Sequence, residues 1–399
     1  MKHAPSSPAA TLLIAAALAL GAAVSLGLAR FSYALLLPPM RADLGWSYFT
    51  AGAMNTANAA GYLLGALLAP RALMRIGART LLLGGSAATA LLLAGHGMVL
   101  GDNALFVLRL LTGVTSAAVF VSGGLLAARL GTGHASAGLV LGVYYGGTGV
   151  GIIASALLVP PLTARALAHA WQGAWWALAV AALLATGVTA WATRRSVKSP
   201  LLNPAAAVAF RWRPFGFALG SYFMFGLGYI GYMTFVITLL REQNLSDAQI
   251  VGFYIVLGLG VIASSWLWAA VLQRFRGGQA LSLLNALLAL ATLLPVLSRH
   301  PLVVFASGAL FGSVFLSLVA STPALVRHNL PAAAWSGGIA AFTVVFAAGQ
   351  IIGPSAVGWV ADGPGGLRLG LAGSAAVLAL AALLAWGQKP LPTDGAPQR

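Results

Sequence analysis

Apolar residues run through this chain in long unbroken blocks. They show neither the alternation of a half-buried strand nor the one-sided stripe of a surface helix. Stretches without Asp, Glu, Lys or Arg extend from His3 to Ala29, Leu44 to Pro70, Thr80 to Gly101, Thr132 to Ala164 and Ala166 to Thr193. They resume from Pro214 to Leu240, Ala248 to Gln273, Gly277 to Ser298, His300 to Val326, His328 to Ala361 and Leu369 to Gln388. Each is about 20 residues or longer, the length an α-helix needs to cross the hydrocarbon of a bilayer. A further apolar segment, Asn103 to Ala128, is broken by Arg109 alone, and the first block meets Arg30 before it ends. A charge at the bilayer centre costs about 2.5–3.5 kcal/mol on insertion scales, so charged residues should mark the ends of spans. The pattern predicts an all-α membrane protein of twelve transmembrane helices. It does not predict a membrane barrel, whose strands are about 9–11 residues long and alternate in polarity. The first block, with Lys2 at its basic end and small residues near Ala29, also has the outline of a secretory signal, but eleven further spans follow it.

Composition agrees. Of 399 residues 60% are hydrophobic and 7% charged, which excludes a soluble globular domain and a disordered chain alike. With no cysteine there is no disulfide, thiolate metal site or thiol nucleophile. The net charge of +16 would suit nucleic acid were it clustered on one surface, but it is not. If the N-terminus is cytoplasmic, fifteen of the 22 basic residues fall on the cytoplasmic side, among them Arg71, Arg75, Arg79, Arg129, Arg194, Arg274, Arg276 and Arg327. Asp43, Asp102, Glu242, Asp247 and Asp362 fall on the other side. The basic balance therefore reflects topology and contact with anionic lipid headgroups. The expected partners are membrane lipid and a small-molecule solute, with no nucleic acid. The expected protein is a monomer in a bacterial inner membrane with both termini cytoplasmic.

The segment 194–213, rich in Arg and Pro, divides the chain into a six-span bundle at 1–193 and a second at 214–399 with a short tail. Sliding one half over the other by about 200 residues superposes Arg71–Arg79 on Arg274–Gln279, Arg129 on Arg327, and Gly147 and Gly151 on Gly349 and Gly353. Parallel half-repeats of this kind build many secondary transporters. Many of the 49 glycines fall into small-xxx-small pairs such as Gly61 with Gly65, which let helices approach closely. Pro323 and Pro354 lie inside spans and can bend them.

Several segments resemble a known family. The loop GALLAPRALMRIGAR, Gly65 to Arg79, is similar to the loop-2/3 signature of the major facilitator superfamily, and RLLTGVTSA, Arg109 to Ala117, to its fourth-helix arginine motif. GLARF from Gly27, DLGWS from Asp43, YYGGTGVG from Tyr144 and WQGAWW from Trp171 resemble the bacterial YbfB/YjiJ-like branch. The resemblance covers the whole chain. It implies the two-bundle major facilitator fold, with the first, fourth, seventh and tenth helices lining a central cavity. The acidic residue usual in the loop signature is absent, Ala69 and Pro70 occupying its neighbourhood, so the superfamily's interdomain charge relay lacks its carboxylate here.

Candidate chemistry centres on Arg30 and Arg109, always charged and shaped to grip a carboxylate. Counted from Pro38 and from Asp102, each lies roughly 10–12 Å below the outer surface at 1.5 Å per residue. Their repeat counterparts, near Ile230 and Ser307, are uncharged. Either the pair holds a substrate anion, or Arg109 clamps backbone carbonyls and Arg30 snorkels to headgroups. Tyr33, Asn55, Asn58, Tyr144, Tyr145, Tyr229, Tyr232 and Gln350 can complete a pocket or serve as interhelical bonds. Gating or structural roles fall to Gly65, Arg71, Arg75, Gly77, Arg79, Gly113, Gly353 and Pro354. Trp46, Trp171 and Trp212 are expected in interfacial belts. Every acid lies in a loop or tail, and His96 falls near the outer end of the third span. Ion coupling would then use a loop-edge group such as Asp43 facing Arg30, a proton carried by the solute, or no ion. No cofactor or metal is called for, and there is no HExxH, no GxxxxGK[ST] and no buried carboxylate pair to support an enzyme or an ATP-driven pump. A channel lacks a ring of pore charges. Two carrier functions remain, transport of a small organic anion such as a carboxylate by alternating access, and proton-coupled or uncoupled efflux of amphipathic, drug-like compounds.

Overall fold

The computed structural model describes residues 8–131, 137–164, 167–194 and 210–391. Lys2, His134, Arg165, Arg399 and most of the segment expected between 194 and 213 lie outside them. The described residues form twelve helices long and apolar enough to span a membrane. They are α1 (Ala9–Leu44), α2 (Tyr48–Ile76), α3 (Ala78–His96), α4 (Asp102–Gly131), α5 (Gly138–Thr163) and α6 (Ala170–Thr193), followed by α7 (Arg213–Glu242), α8 (Asp247–Arg274), α9 (Gln279–Leu297), α10 (Pro301–Asn329), α11 (Trp335–Ala361) and α12 (Gly366–Trp386). Leu91, Leu302, Trp359 and Leu383 are each more than two-thirds exposed, a surface that lipid and not water would solvate.

Two compact units emerge. The first comprises Met1–Trp46, Ala57–Leu202 and Leu245–Ala263, and the second Ser47–Thr56, Asn203–Asn244 and Ser264–Arg399. The opening turns of α2 thus belong to the second unit and most of α8 to the first. Within the second unit, Asp362 at the end of α11 accepts the backbone N–H of Tyr48 at 2.8 Å and of Phe49 at 2.9 Å, satisfying donors that a helix start leaves open. Within the first, the Tyr254 hydroxyl of α8 donates to the Phe31 carbonyl at 2.6 Å.

Glycine sets the same junction in each unit. A Cβ on Gly147 would lie 2.0 Å from the Ala19 carbonyl oxygen and one on Gly151 2.4 Å from that of Ala23, so α5 rests directly on the backbone of α1. In the second unit a Cβ on Gly349 would lie 2.3 Å from the Phe223 oxygen and one on Gly353 2.5 Å from that of Leu227, so α11 rests on α7. Superposed in the sequence, these pairs make the same contact between the fifth and first helices of each half. Dispersion and close backbone approach, the forces left once lipid replaces water, favour this arrangement.

The structure differs from expectation along α1. Ala23–Phe31 winds as a π-helix, with all nine residues buried. The wide turn ends at Ser32, whose carbonyl accepts the N–H of Leu35 at 3.0 Å and of Leu36 at 3.3 Å. The helix restarts there, so Pro38 and Pro39 fall inside its continuation and do not end it. It runs on to Leu44 and stops at Gly45, held at φ 66. Arg30 therefore has about 20 Å of helix beyond it, deeper than a count from Pro38 suggests. The Gly65–Arg79 signature is likewise mostly helix, α2 continuing through Pro70 to Ile76. The reversal is made at Gly77, whose φ of 78 a side-chain-bearing residue rarely adopts.

Candidate functional site

The sharpest cluster lies in the first unit. Arg30 is 3% exposed and Arg109 1%, so neither snorkels to the surface. The π-helical stretch carries Arg30, and α4 delivers Arg109. Arg109 Nη1 donates to the Ala29 carbonyl at 3.1 Å, and its guanidinium carbon stands 4.4 Å from the centre of the Tyr33 ring. Arg30 stands 5.1 Å from the centre of the Tyr62 ring on α2. Asn58 Nδ2 donates to the Arg109 backbone carbonyl at 3.1 Å, bracing α2 against α4, where a Cβ on Gly113 would lie 2.1 Å from the Asn58 oxygen. A Cβ on Gly65 would lie 2.3 Å from the Val114 oxygen, one turn further along the same crossing. The two guanidinium groups repel one another. Aromatic faces suit such cations, because each ring presents its negative quadrupole to the charge while excluding water.

The clamp expected of Arg109 is thus present as its bond to Ala29. Its anchor is the backbone of the π-turn that carries Arg30. Wide turns of this kind concentrate at functional sites, and no apolar periodicity in the sequence announced this one.

Other candidates lie elsewhere. Tyr144 donates to the Phe120 carbonyl at 2.7 Å within a buried apolar cluster shared by the first five helices, α1 to α5. Tyr145 stands edge-on to Tyr144 with ring centres 5.4 Å apart. Asn55 belongs to the second unit, where its Nδ2 donates to Thr234 Oγ1 at 2.7 Å. Also in the second unit, Gln350 Nε2 donates to the Tyr229 hydroxyl, and Tyr232 bonds Ser307 Oγ at 2.7 Å. Tyr229 stacks on Phe225, Phe346 and Phe315 at 4.8, 5.7 and 6.1 Å, and Tyr232 on Phe311 at 4.0 Å. Pro354 is buried inside α11, its carbonyl facing Gly52 closely enough that a Cβ there would lie 2.2 Å away. At the basic end of the first unit, Arg71 and Arg75 are exposed, whereas Arg79 donates from Nε to Thr193 Oγ1 at 3.2 Å and from Nη2 to the Ala190 carbonyl at 3.0 Å.

Two expectations need correcting. Trp46 and Trp171 are buried, not interfacial, because each indole N–H is drawn to a carboxylate. Trp46 donates to Asp102 at 2.8 Å and Trp171 to Asp43 at 2.5 Å, while Trp212 is half exposed. Asp43 turns to Trp171 and to His169 Nδ1 at 2.5 Å, which leaves it engaged away from Arg30. His96 is the last residue of α3, in keeping with its place near the end of the third span, and it is fully buried.

Among the described residues no group of His, Cys, Asp and Glu could hold a metal ion. The fold is shared with solved transporters. A bacterial homologue of the human lysosomal transporter Spinster, solved inward-facing and unoccupied, aligns with a TM-score of 0.73 and 14% identity over 96% of this chain and 97% of its own. A variant of the nucleoside transporter NupG aligns with a TM-score of 0.72 and 13% identity over 93% and 99%. The human organic anion transporter MFSD10 aligns at 0.67 and 16% over 95% and 100%. No curated protein matches the chain. The family model described as "Uncharacterised MFS-type transporter YbfB" matches residues 22–386. This multi-pass membrane protein is therefore a transporter of small-molecule solutes and not an enzyme, and it belongs to that YbfB-type family of the major facilitator superfamily.

Proposed function

We propose that the protein carries a small organic anion, such as a monocarboxylate, by alternating access across a bacterial inner membrane. In this reading it works as a monomer with its basic helix ends and both termini in the cytoplasm. The observation that carries the reading is the burial of two permanently positive, mutually repelling side chains, Arg30 and Arg109, within one unit. Charge in the membrane interior is costly and marks substrate or ion pathways. The carboxylates with described bonds spend them elsewhere: Asp43 on His169 and Trp171, Asp102 on Trp46, Glu242 on Tyr48 and Asp362 on the start of α2. A solute carboxylate would complement the pair by charge-assisted bonds.

The aromatic stack around Tyr229 in the second unit favours a second reading, export of amphipathic compounds with an apolar body. The two readings separate in liposomes containing the full-length protein, assayed with labelled lactate and with a lipophilic cation. Lactate uptake that falls at least tenfold in Arg30→Ala and in Arg109→Ala supports the anion carrier. Lactate uptake equal in both variants and wild type, or movement of the cation alone, removes it.

A further inference from the structure

Beyond the arginines, the first unit also buries a histidine, carried by the neighbouring α3. His96 closes α3 and is 0% exposed. Its ring stacks on Trp175 of α6, with centres 4.4 Å apart and planes 26° from parallel. Nδ1 lies 2.7 Å from the Leu92 carbonyl oxygen, which can only accept, so Nδ1 carries a hydrogen. In the neutral ring that leaves Nε2 as a bare acceptor. Nε2 is buried and has no hydrogen-bond partner among the described residues, and neither has the neighbouring Trp175 indole N–H. A histidine kept only for packing would be expected to satisfy both nitrogens, because an unmet buried acceptor is costly.

The charges around the ring define what Nε2 can do. Arg109, from α4, acts on it electrostatically, and Arg30, from α1, acts in turn on Arg109. Asp102, at the start of α4, accepts the Trp46 indole, and Tyr33 of α1 lies against Arg109. On the α6 side, Ala170–Thr193 contains no titratable side chain. Protonating Nε2 adds a positive charge near Arg109 in a medium of low dielectric, and a carboxylate bound beside the arginines lowers that cost.

We propose that His96 is the proton-binding group of the transport cycle. It takes a proton from water onto Nε2 when a carboxylate occupies the Arg30 and Arg109 pair, and returns it to water on the opposite side when the carboxylate leaves. Carboxylate and proton then travel together with no net charge, and each raises the affinity for the other, as linkage requires. The inference rests on the anion reading above.

Two measurements on the full-length protein test it, with lactate as the probe. In protein labelled with 15N-histidine, the Nε2 resonance lost in His96→Gln should titrate about one pH unit or more higher with saturating lactate than without. In liposomes, corrected for protein-free vesicles, a gradient of one pH unit should drive up to about tenfold lactate accumulation by the wild type. His96→Gln can keep the bond to Leu92 but holds no proton, and it should lose that response. Monodisperse elution and a lactate-dependent thermal shift establish that the variant is folded. An imidazole that titrates at the same pH with and without bound lactate, or a full gradient response in His96→Gln, would overturn the His96 assignment while leaving the anion carrier standing. A wild type that neither binds nor carries lactate or related carboxylates would overturn both.

Discussion

Arg109 and Tyr33 in the first unit correspond, about 200 residues on, to Ser307 and Tyr232 in the second. Both pairs join the fourth helix of a half to its first. In the first unit the contact is a guanidinium over an aromatic ring, at 4.4 Å. In the second it is a neutral chain of bonds, Tyr232 to Ser307 at 2.7 Å and Ser307 to the Ala291 carbonyl at 2.6 Å. The neutral version holds two helices together at little cost, each such bond contributing about 0.6 kcal/mol in a membrane. The charged version costs several times that on insertion scales. Since Ser307 shows that a neutral pair can join these helices, packing alone does not account for Arg109. The second unit instead gathers rings, Phe225, Tyr229, Phe315 and Phe346 stacking face to face. On the proposed reading the first half binds the anion, while the second joins the matching helices by neutral bonds and gathers aromatic rings.

The comparison is broken first by attacking what the halves share. Gly147→Leu and Gly349→Leu each force a side chain into a backbone carbonyl 2.0–2.3 Å from the Cβ position. Both should abolish monodisperse protein in size-exclusion chromatography; if only one does, the two junctions are not equivalent. Next comes what they do not share. Arg109→Ala should lower carboxylate uptake at least tenfold, whereas Ser307→Ala, at the matching place, should stay within about twofold, in keeping with the loss of one modest hydrogen bond. Tyr33→Leu should have an intermediate effect, because a cation–π contact is worth about 0.5–2 kcal/mol; initial uptake rates should fall between those of Ser307→Ala and Arg109→Ala. The smallest effect is expected of Tyr232→Phe, which removes the hydroxyl bond to Ser307 and keeps the stack on Phe311, lowering the thermal midpoint by no more than a few degrees.

Much of this was legible in the sequence for a simple physical reason. Lipid tolerates few charges, so the spacing of Asp, Glu, Lys and Arg marks out the spans, and twelve helices are found among the described residues. The glycine repeat was equally readable, because Gly147, Gly151, Gly349 and Gly353 act through backbone approach, which depends on the residue itself. The π-turn around Arg30 was not readable, since Ala23–Phe31 has no composition that separates a π-helix from an α-helix. Nor was the role of Pro38 and Pro39, whose tolerance depends on a helix restarting at Ser32. Trp46 and Trp171 looked interfacial by position, and only the tertiary approach of Asp102 and Asp43 draws them inward. His96 sat in plain view within an apolar block, but whether its two nitrogens find partners is a property of the packed helices alone.

The most direct test of the proposed anion site is a thermal-shift titration of purified protein with carboxylates of two to eight carbons. At least one acid should raise the midpoint of the wild type and of Ser307→Ala by several degrees, and raise neither Arg30→Ala nor Arg109→Ala. The same acid stabilising Arg109→Ala as strongly as the wild type would contradict the account.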